Sequence, residues 1–176
     1  MILGCVLAGG KSTRFGSDKA LAEFAGETLL ARAVDALSGL CEQVVVVGRE
    51  VAPAPCLPDW PHAGMGPLGG IAAALHLARQ ESFTAVLTCG VDSLGLPDDL
   101  LKLLSPAPAF LADQPVIGLW PISAGPKLDT LLKSDGRHSL RAFAEAIGAR
   151  PVQLSANPAN INTPADLAAA EKRHGL

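Results

Sequence analysis

Ile2-Leu3-Gly4-Cys5-Val6-Leu7-Ala8-Gly9-Gly10-Lys11-Ser12-Thr13-Arg14-Phe15-Gly16-Ser17-Asp18-Lys19 is the stretch on which the reading of this chain turns. Ile2 to Leu7 is largely aliphatic without alternation in polarity, the pattern of a strand buried on both faces, and it runs directly into a glycine turn. Gln43 to Val47, ending at Gly48, and Phe83 to Val91 repeat the pattern. Between them, Glu27 to Leu37 carries Leu29, Leu30, Val34 and Leu37 at helical spacing, and Pro67 to Leu77 carries Leu68, Ile71 and Leu75. Strand and helix in alternation predict a parallel sheet with helices on both faces, its functional loops gathered at the carboxyl ends of the strands.

The second half is more mixed. A helix is expected from Pro97-Asp98-Asp99, short strands at Ala109 to Leu111 and Val116 to Trp120, and helices at Lys127 to Lys133 and Ser139 to Ile147, so a small antiparallel excursion is predicted. Pro151 to Leu154 reads as a strand, and Thr163 as the cap of a helix beginning at Pro164. Val51 to Pro67 reads as a long surface loop. With 176 residues, a single domain over 1–176 is expected.

Composition narrows the function. Hydrophobic residues at 49% suffice to close a core, which excludes a disordered or fibrous chain. A formal net charge of −3 argues against a nucleic-acid partner, and no apolar run is long enough to suggest a membrane span. Cys5, Cys41, Cys56 and Cys89 show no metal-ligand spacing and read as reduced thiols, so the expected location is the cytoplasm, the apolar start being too short for a signal peptide.

The glycine turn holds three cations, Lys11, Arg14 and Lys19, within reach of main-chain N–H groups that glycine allows to converge on phosphate oxygens. A solvated surface turn is the plainer reading of Gly-Gly-Lys alone. A Walker A loop fails on spacing, because Cys5 stands where its first glycine belongs, and a G-x-G-x-x-G turn is absent. Asp92 closes the mostly apolar run Ala85 to Val91, where an acid at the carboxyl end of a parallel strand faces the ligand crevice, unless it merely caps the next turn.

Leu7 to Lys19 resembles the signature L-A-G-G-x-x-x-R-x-G-x-D-K of the nucleotidyltransferases that activate small phosphorylated compounds, and within them is most similar to the molybdenum cofactor guanylyltransferases. Gly66-Pro67-Leu68-Gly69-Gly70 matches the family's second nucleotide loop, Val91-Asp92 its acidic strand end and Asn160-Ile161-Asn162-Thr163-Pro164 its C-terminal motif. The sequence departs from the family at Cys89-Gly90-Val91-Asp92, at Leu94, where a proline is common, and at Gly48, where relatives carry a polar residue. The resemblance implies a three-layer α/β fold of the Rossmann-like nucleotidyltransferase kind. It also implies transfer of GMP from Mg²⁺-GTP to the phosphate of a molybdopterin-type acceptor.

On that basis Leu7, Ala8, Gly9, Gly10, Lys19, Asp59, Pro67, Leu68, Gly69, Gly70 and Asp92 are expected at the nucleotide, with Lys19, Arg14 and Asp92 catalytic and Asp92 the Mg²⁺ ligand. Attack of one phosphate on another brings like charges together, so cations aimed at developing charge suffice and no protein nucleophile is required. Asp59 is expected near base and ribose, the alternative being an ordinary loop aspartate. Asn160 and Asn162 are expected on the acceptor side, with Arg137, His138 and Arg141 a candidate basic patch and Trp60 or Trp120 candidate rings for a pterin; His62 and His76 show no evident partners. Transient contact with cofactor-insertion or acceptor proteins belongs to the same expectation, although no docking motif stands in the sequence. Two rivals stay open: the same chemistry with CTP or a sugar or alcohol phosphate, and a nucleotide-binding module without turnover.

Overall fold

A computed structural model describes residues 1–10, 15–136 and 138–175. Among them the chain runs through β1 (Ile2–Leu7), a 3₁₀ turn (Lys19–Leu21), β2 (Glu23–Phe24), β3 (Glu27–Thr28), α1 (Leu29–Ser38), β4 (Gln43–Val47), β5 (Cys56–Leu57), α2 (Pro67–Gln80) and β6 (Ala85–Gly90). It continues through β7 (Ser93–Leu94), α3 (Leu100–Leu104), β8 (Ala109–Leu111), β9 (Gln114–Pro121), α4 (Gly125–Lys133), α5 (Leu140–Ile147), β10 (Arg150–Val152), β11 (Ala159–Asn160) and α6 (Pro164–Arg173).

Seven strands form one sheet in the order β10-β8-β9-β6-β1-β4-β5. β1 pairs in parallel with both β4 and β6, and β9 alone of the seven runs against its neighbours β6 and β8, which is the expected antiparallel excursion. The aliphatic runs are continuous because both sheet faces are covered. Val44 and Val46 pack with Leu30, Val34, Leu37 and Leu104 on one face, whereas Val45 and Val47 pack with Leu68, Ile71, Leu75 and Leu128 on the other. A period of two thus places alternate valines in two different cores.

After β1 the chain builds β4 and β5 on one side of it and then crosses to β6 on the other. That reversal opens a crevice beyond the carboxyl ends of β1 and β6, where α/β sheets take their ligands. Leu7 and Gly90 are in register there, so Ala8-Gly9-Gly10 and Val91-Asp92 leave the sheet side by side.

Three segments differ from the sequence reading. Glu27 and Thr28 belong to a short hairpin strand, and α1 starts at Leu29, because the Thr28 hydroxyl accepts from the Ala31 N–H as an N-cap. The proline-rich stretch contains β5, which adds an edge to β4 through main-chain pairing that needs no apolar pattern. The predicted strand at Pro151 to Leu154 is Arg150–Val152. Thr163 caps α6 as expected, and Asp166 completes a capping box.

Candidate active site

A cavity of about 110 Å³ beyond β1 and β6 is lined by Leu7, Ala8, Gly9, Gly10, Asp18, Lys19, Ala20, Val91 and Asp92. Lys19 and Asp92, 73 positions apart in sequence, meet across it with Nζ to Oδ2 at 3.4 Å. Their side chains are 16% and 25% exposed, dry enough to strengthen a charge interaction and open enough for a ligand to enter.

Local structure explains how they meet. Asp18 caps the 3₁₀ turn that starts at Lys19, its Oδ1 accepting from the Ala20 N–H at 3.2 Å. Both Asp18 oxygens also accept from Arg49 Nη1, at 2.8 and 2.7 Å, tying the turn to the loop after β4. Asp18 is the acid of the signature beside Lys19, but the sequence alone assigned it no role, because its partner Arg49, 31 positions away, is revealed only by the strand order. On the opposite wall, β7 pairs with β11, Asn160 opposite Ser93, and the Ile161 N–H donates to the Asp92 carbonyl at 2.8 Å. The C-terminal motif is therefore stitched to the segment that carries Asp92.

Glycines set the clearances. Gly48, at φ +91°, lies so close to Gly9 that a Cβ there would run into the Gly9 N and Cα. Gly70 packs on the sheet, its Cβ position 2.5 Å from Leu7 Cδ2 and 3.3 Å from Val47 Cγ1, while the Gly69 position is 3.3 Å from Asp59 Cβ. Asp59 accordingly sits against the first turn of α2. Burial pushes its carboxyl up from the usual range, and the main-chain N–H groups of Gly64 and Met65 pull it partly back.

The remaining expected residues divide. Pro67 is exposed at the start of α2, but the Leu68 side chain lies in the core, leaving only its main chain to face a ligand. Asn160 is exposed, and the Asn162 N–H donates to Asp166 Oδ2 at 2.9 Å within the capping box. Trp120 is fully buried, its indole N–H donating to Thr88 Oγ1, so it cannot meet a pterin. His76 does have partners, Asp129 and Trp60, and His138 contacts the Ser134 carbonyl. Lys11, Arg14 and Arg137 lie outside the described residues. The four cysteines are free thiols; Cys5 and Cys89 are buried, and burial pushes the Cys41 thiol up to about 12, so it is no nucleophile near neutral pH.

Among the described residues no group of three His, Cys, Asp or Glu could enclose a metal ion. Asp18 and Asp92 both stand on the cavity wall; Asp18 is held by Arg49, and Asp92 fits Mg²⁺, which takes one or two carboxylates and fills its sphere with phosphate oxygens and water. No helix among the described residues is long and apolar enough to cross a membrane.

A mostly parallel sheet with a glycine turn at its switch point, and an ammonium facing a carboxylate beyond it, defines the class of α/β proteins that handle phosphorylated ligands at the strand ends. The family model of the MobA-like NTP transferase domain matches residues 4–153, and the chain belongs to that family of nucleotidyltransferases. The molybdenum cofactor guanylyltransferase of Rhodobacter capsulatus is 38% identical, with 98% of this chain and 96% of the relative covered. That of Acidiphilium cryptum is 37% identical, over 94% and 92%. The same fold occurs in molybdopterin-guanine dinucleotide biosynthesis protein A from Archaeoglobus fulgidus, at TM-score 0.77 and 21% identity over 98% of both chains. It also occurs in a cytidylyltransferase from Thermus thermophilus, at TM-score 0.62 and 17% identity over 98% of both chains, so the fold alone does not choose the base.

Proposed function

We propose that this protein transfers GMP from GTP to the phosphate of a molybdopterin-type acceptor. An acceptor phosphate oxygen attacks the α-phosphorus, the bond to the bridging oxygen of the β-phosphate breaks, and pyrophosphate leaves with that oxygen's electron pair. The observation that carries the reading is the Lys19–Asp92 pair at 3.4 Å in a cavity walled by the Gly9-Gly10 turn. The 38% identity to a guanylyltransferase over nearly the whole chain supports guanine as the base.

In this scheme Gly9 and Gly10 offer main-chain N–H groups to the phosphates, Ala8 lining the site while its own N–H stays bonded to the Val47 carbonyl at 2.9 Å, and Lys19 turns from Asp92 to the α-phosphate as negative charge builds there. Arg14 and Lys11 hold the β- and γ-phosphates. Asp92 would hold Mg²⁺, which when bound supplies charge neutralisation along the phosphates. Asp59, against the first turn of α2, accepts from the adjacent N–H donors of guanine, with Gly69, Gly70 and the main chain of Pro67 and Leu68 forming the floor beneath the base. Asn160 and Asn162, stitched beside Asp92 through β11, face the acceptor.

Calorimetric titration with GTP, CTP and ATP in Mg²⁺ tests the nucleotide half. The proposal expects GTP to bind at least tenfold more tightly than CTP; equal or reversed affinities would defeat it.

A further inference from the structure

The loop that presents Asp59 is braced from outside the cavity. The Trp60 N–H donates to the Gly69 carbonyl at 3.1 Å, fastening the loop to the first turn of α2. The indole meets the His76 ring edge-on, with centroids 4.6 Å apart and an interplanar angle of 77°. His76 Nε2 in turn lies 2.9 and 3.0 Å from the two carboxylate oxygens of Asp129 on α4, which hold that ring in place. One turn further along α4, Lys133 Nζ stands 5.4 Å from the Trp60 ring centroid. Two helices thus fix a single half-exposed indole whose neighbour in sequence is Asp59.

Resting on the reading of Asp59 as the guanine contact, we propose that Trp60, His76 and Asp129 form a positioning relay that sets the Asp59 carboxylate for guanine and so governs the preference for GTP over CTP. Two hydrogen bonds to adjacent N–H groups tolerate little displacement, because both lengthen when the carboxylate shifts. Cytosine lacks that donor pair and would not register the shift. None of the three relay residues lines the Lys19–Asp92 cavity, so chemistry at the α-phosphate proceeds without them.

Steady-state kinetics on the full-length protein, with GTP and CTP as donors and molybdopterin as acceptor, test this in wild type, His76→Ala, His76→Phe and Asp129→Asn. An aromatic contact of this kind corresponds to about a two- to tenfold rise in the KM for GTP in His76→Ala, with a matching fall in GTP-over-CTP preference and kcat and acceptor KM unchanged. His76→Phe, which keeps the ring edge against Trp60, retains more of the preference than His76→Ala, and Asp129→Asn shows a smaller loss in the same direction. Unchanged KM and preference in both His76→Ala and Asp129→Asn, or an equal loss with both donors, would overturn the relay. A wild-type enzyme without preference for GTP would register separately as failure of the underlying reading and take the relay's role with it. Trp60 emission gives an independent check: its response to GTP, isolated by subtracting Trp60→Phe, should weaken in His76→Ala, and an unaltered response would count against the proposal.

Discussion

Replacing Asp92 with Asn separates what the carboxylate does for folding from what it does for chemistry. At 3.4 Å and an effective dielectric of about 20, the attraction to Lys19 is about 5 kcal/mol before desolvation. Desolvation and side-chain ordering cancel most of that at 16% and 25% exposure, leaving a net contribution of about 1 kcal/mol or less. The Ile161 N–H bonds to the Asp92 main-chain carbonyl, which the substitution leaves untouched. Asp92→Asn should therefore lower the melting temperature by about 2–4 °C in a chain of this size. If Asp92 holds Mg²⁺ at the reacting phosphates as proposed, removing its charge should lower turnover by about 100- to 1000-fold. Pyrophosphate release followed by a coupled assay gives the second number and calorimetric unfolding the first. Turnover within tenfold of wild type would refute the catalytic role, and a melting temperature lowered by more than about 10 °C would recast Asp92 as a structural residue.

Because burial holds the Asp59 carboxyl above the ordinary range, GTP affinity should fall as pH drops through that raised value, at higher pH than an unperturbed aspartate would dictate, and Asp59→Asn should abolish this acid limb. Stability should respond in the opposite sense, since a fold that favours the neutral acid gains as pH falls through the same range; unfolding curves against pH check it. Gly48→Ala combines a φ of +91° with a collision against the Gly9 main chain, so it should cost about 1–3 kcal/mol in denaturant unfolding and weaken GTP binding. Asn162→Ala should raise the KM for acceptor while leaving calorimetric GTP affinity alone, and the reverse would assign it to the nucleotide. Thr163→Ala, removing the cap of α6, should cost about 1 kcal/mol by chemical denaturation.

The layers of the fold were legible because burial leaves a local trace. Four successive valines at 44–47 can satisfy two cores only as a strand covered on both faces. Asp92 was legible as the acid ending such a strand, and its approach to Lys19 follows once β1 and β6 are neighbours. What escaped was cross-chain pairing between short polar segments. The β7–β11 ladder has two residues in each strand, the Asp18–Arg49 pair spans 31 positions, and the His76–Asp129 pair spans 53. None of these partners leaves a periodic signal, since each depends on which loops the strand order brings together. Trp120 failed as a candidate ring for the pterin for the opposite reason: scarcity of aromatic residues made it a candidate, whereas its indole N–H finds Thr88 inside the sheet.

Mass analysis of the products formed from GTP, Mg²⁺ and molybdopterin tests the proposed transfer most directly. Guanylyl transfer yields one new species heavier than the acceptor by a GMP residue, formed in step with pyrophosphate. Pyrophosphate absent with GTP, or a cytidylyl adduct formed in preference when both nucleotides are supplied, would contradict it.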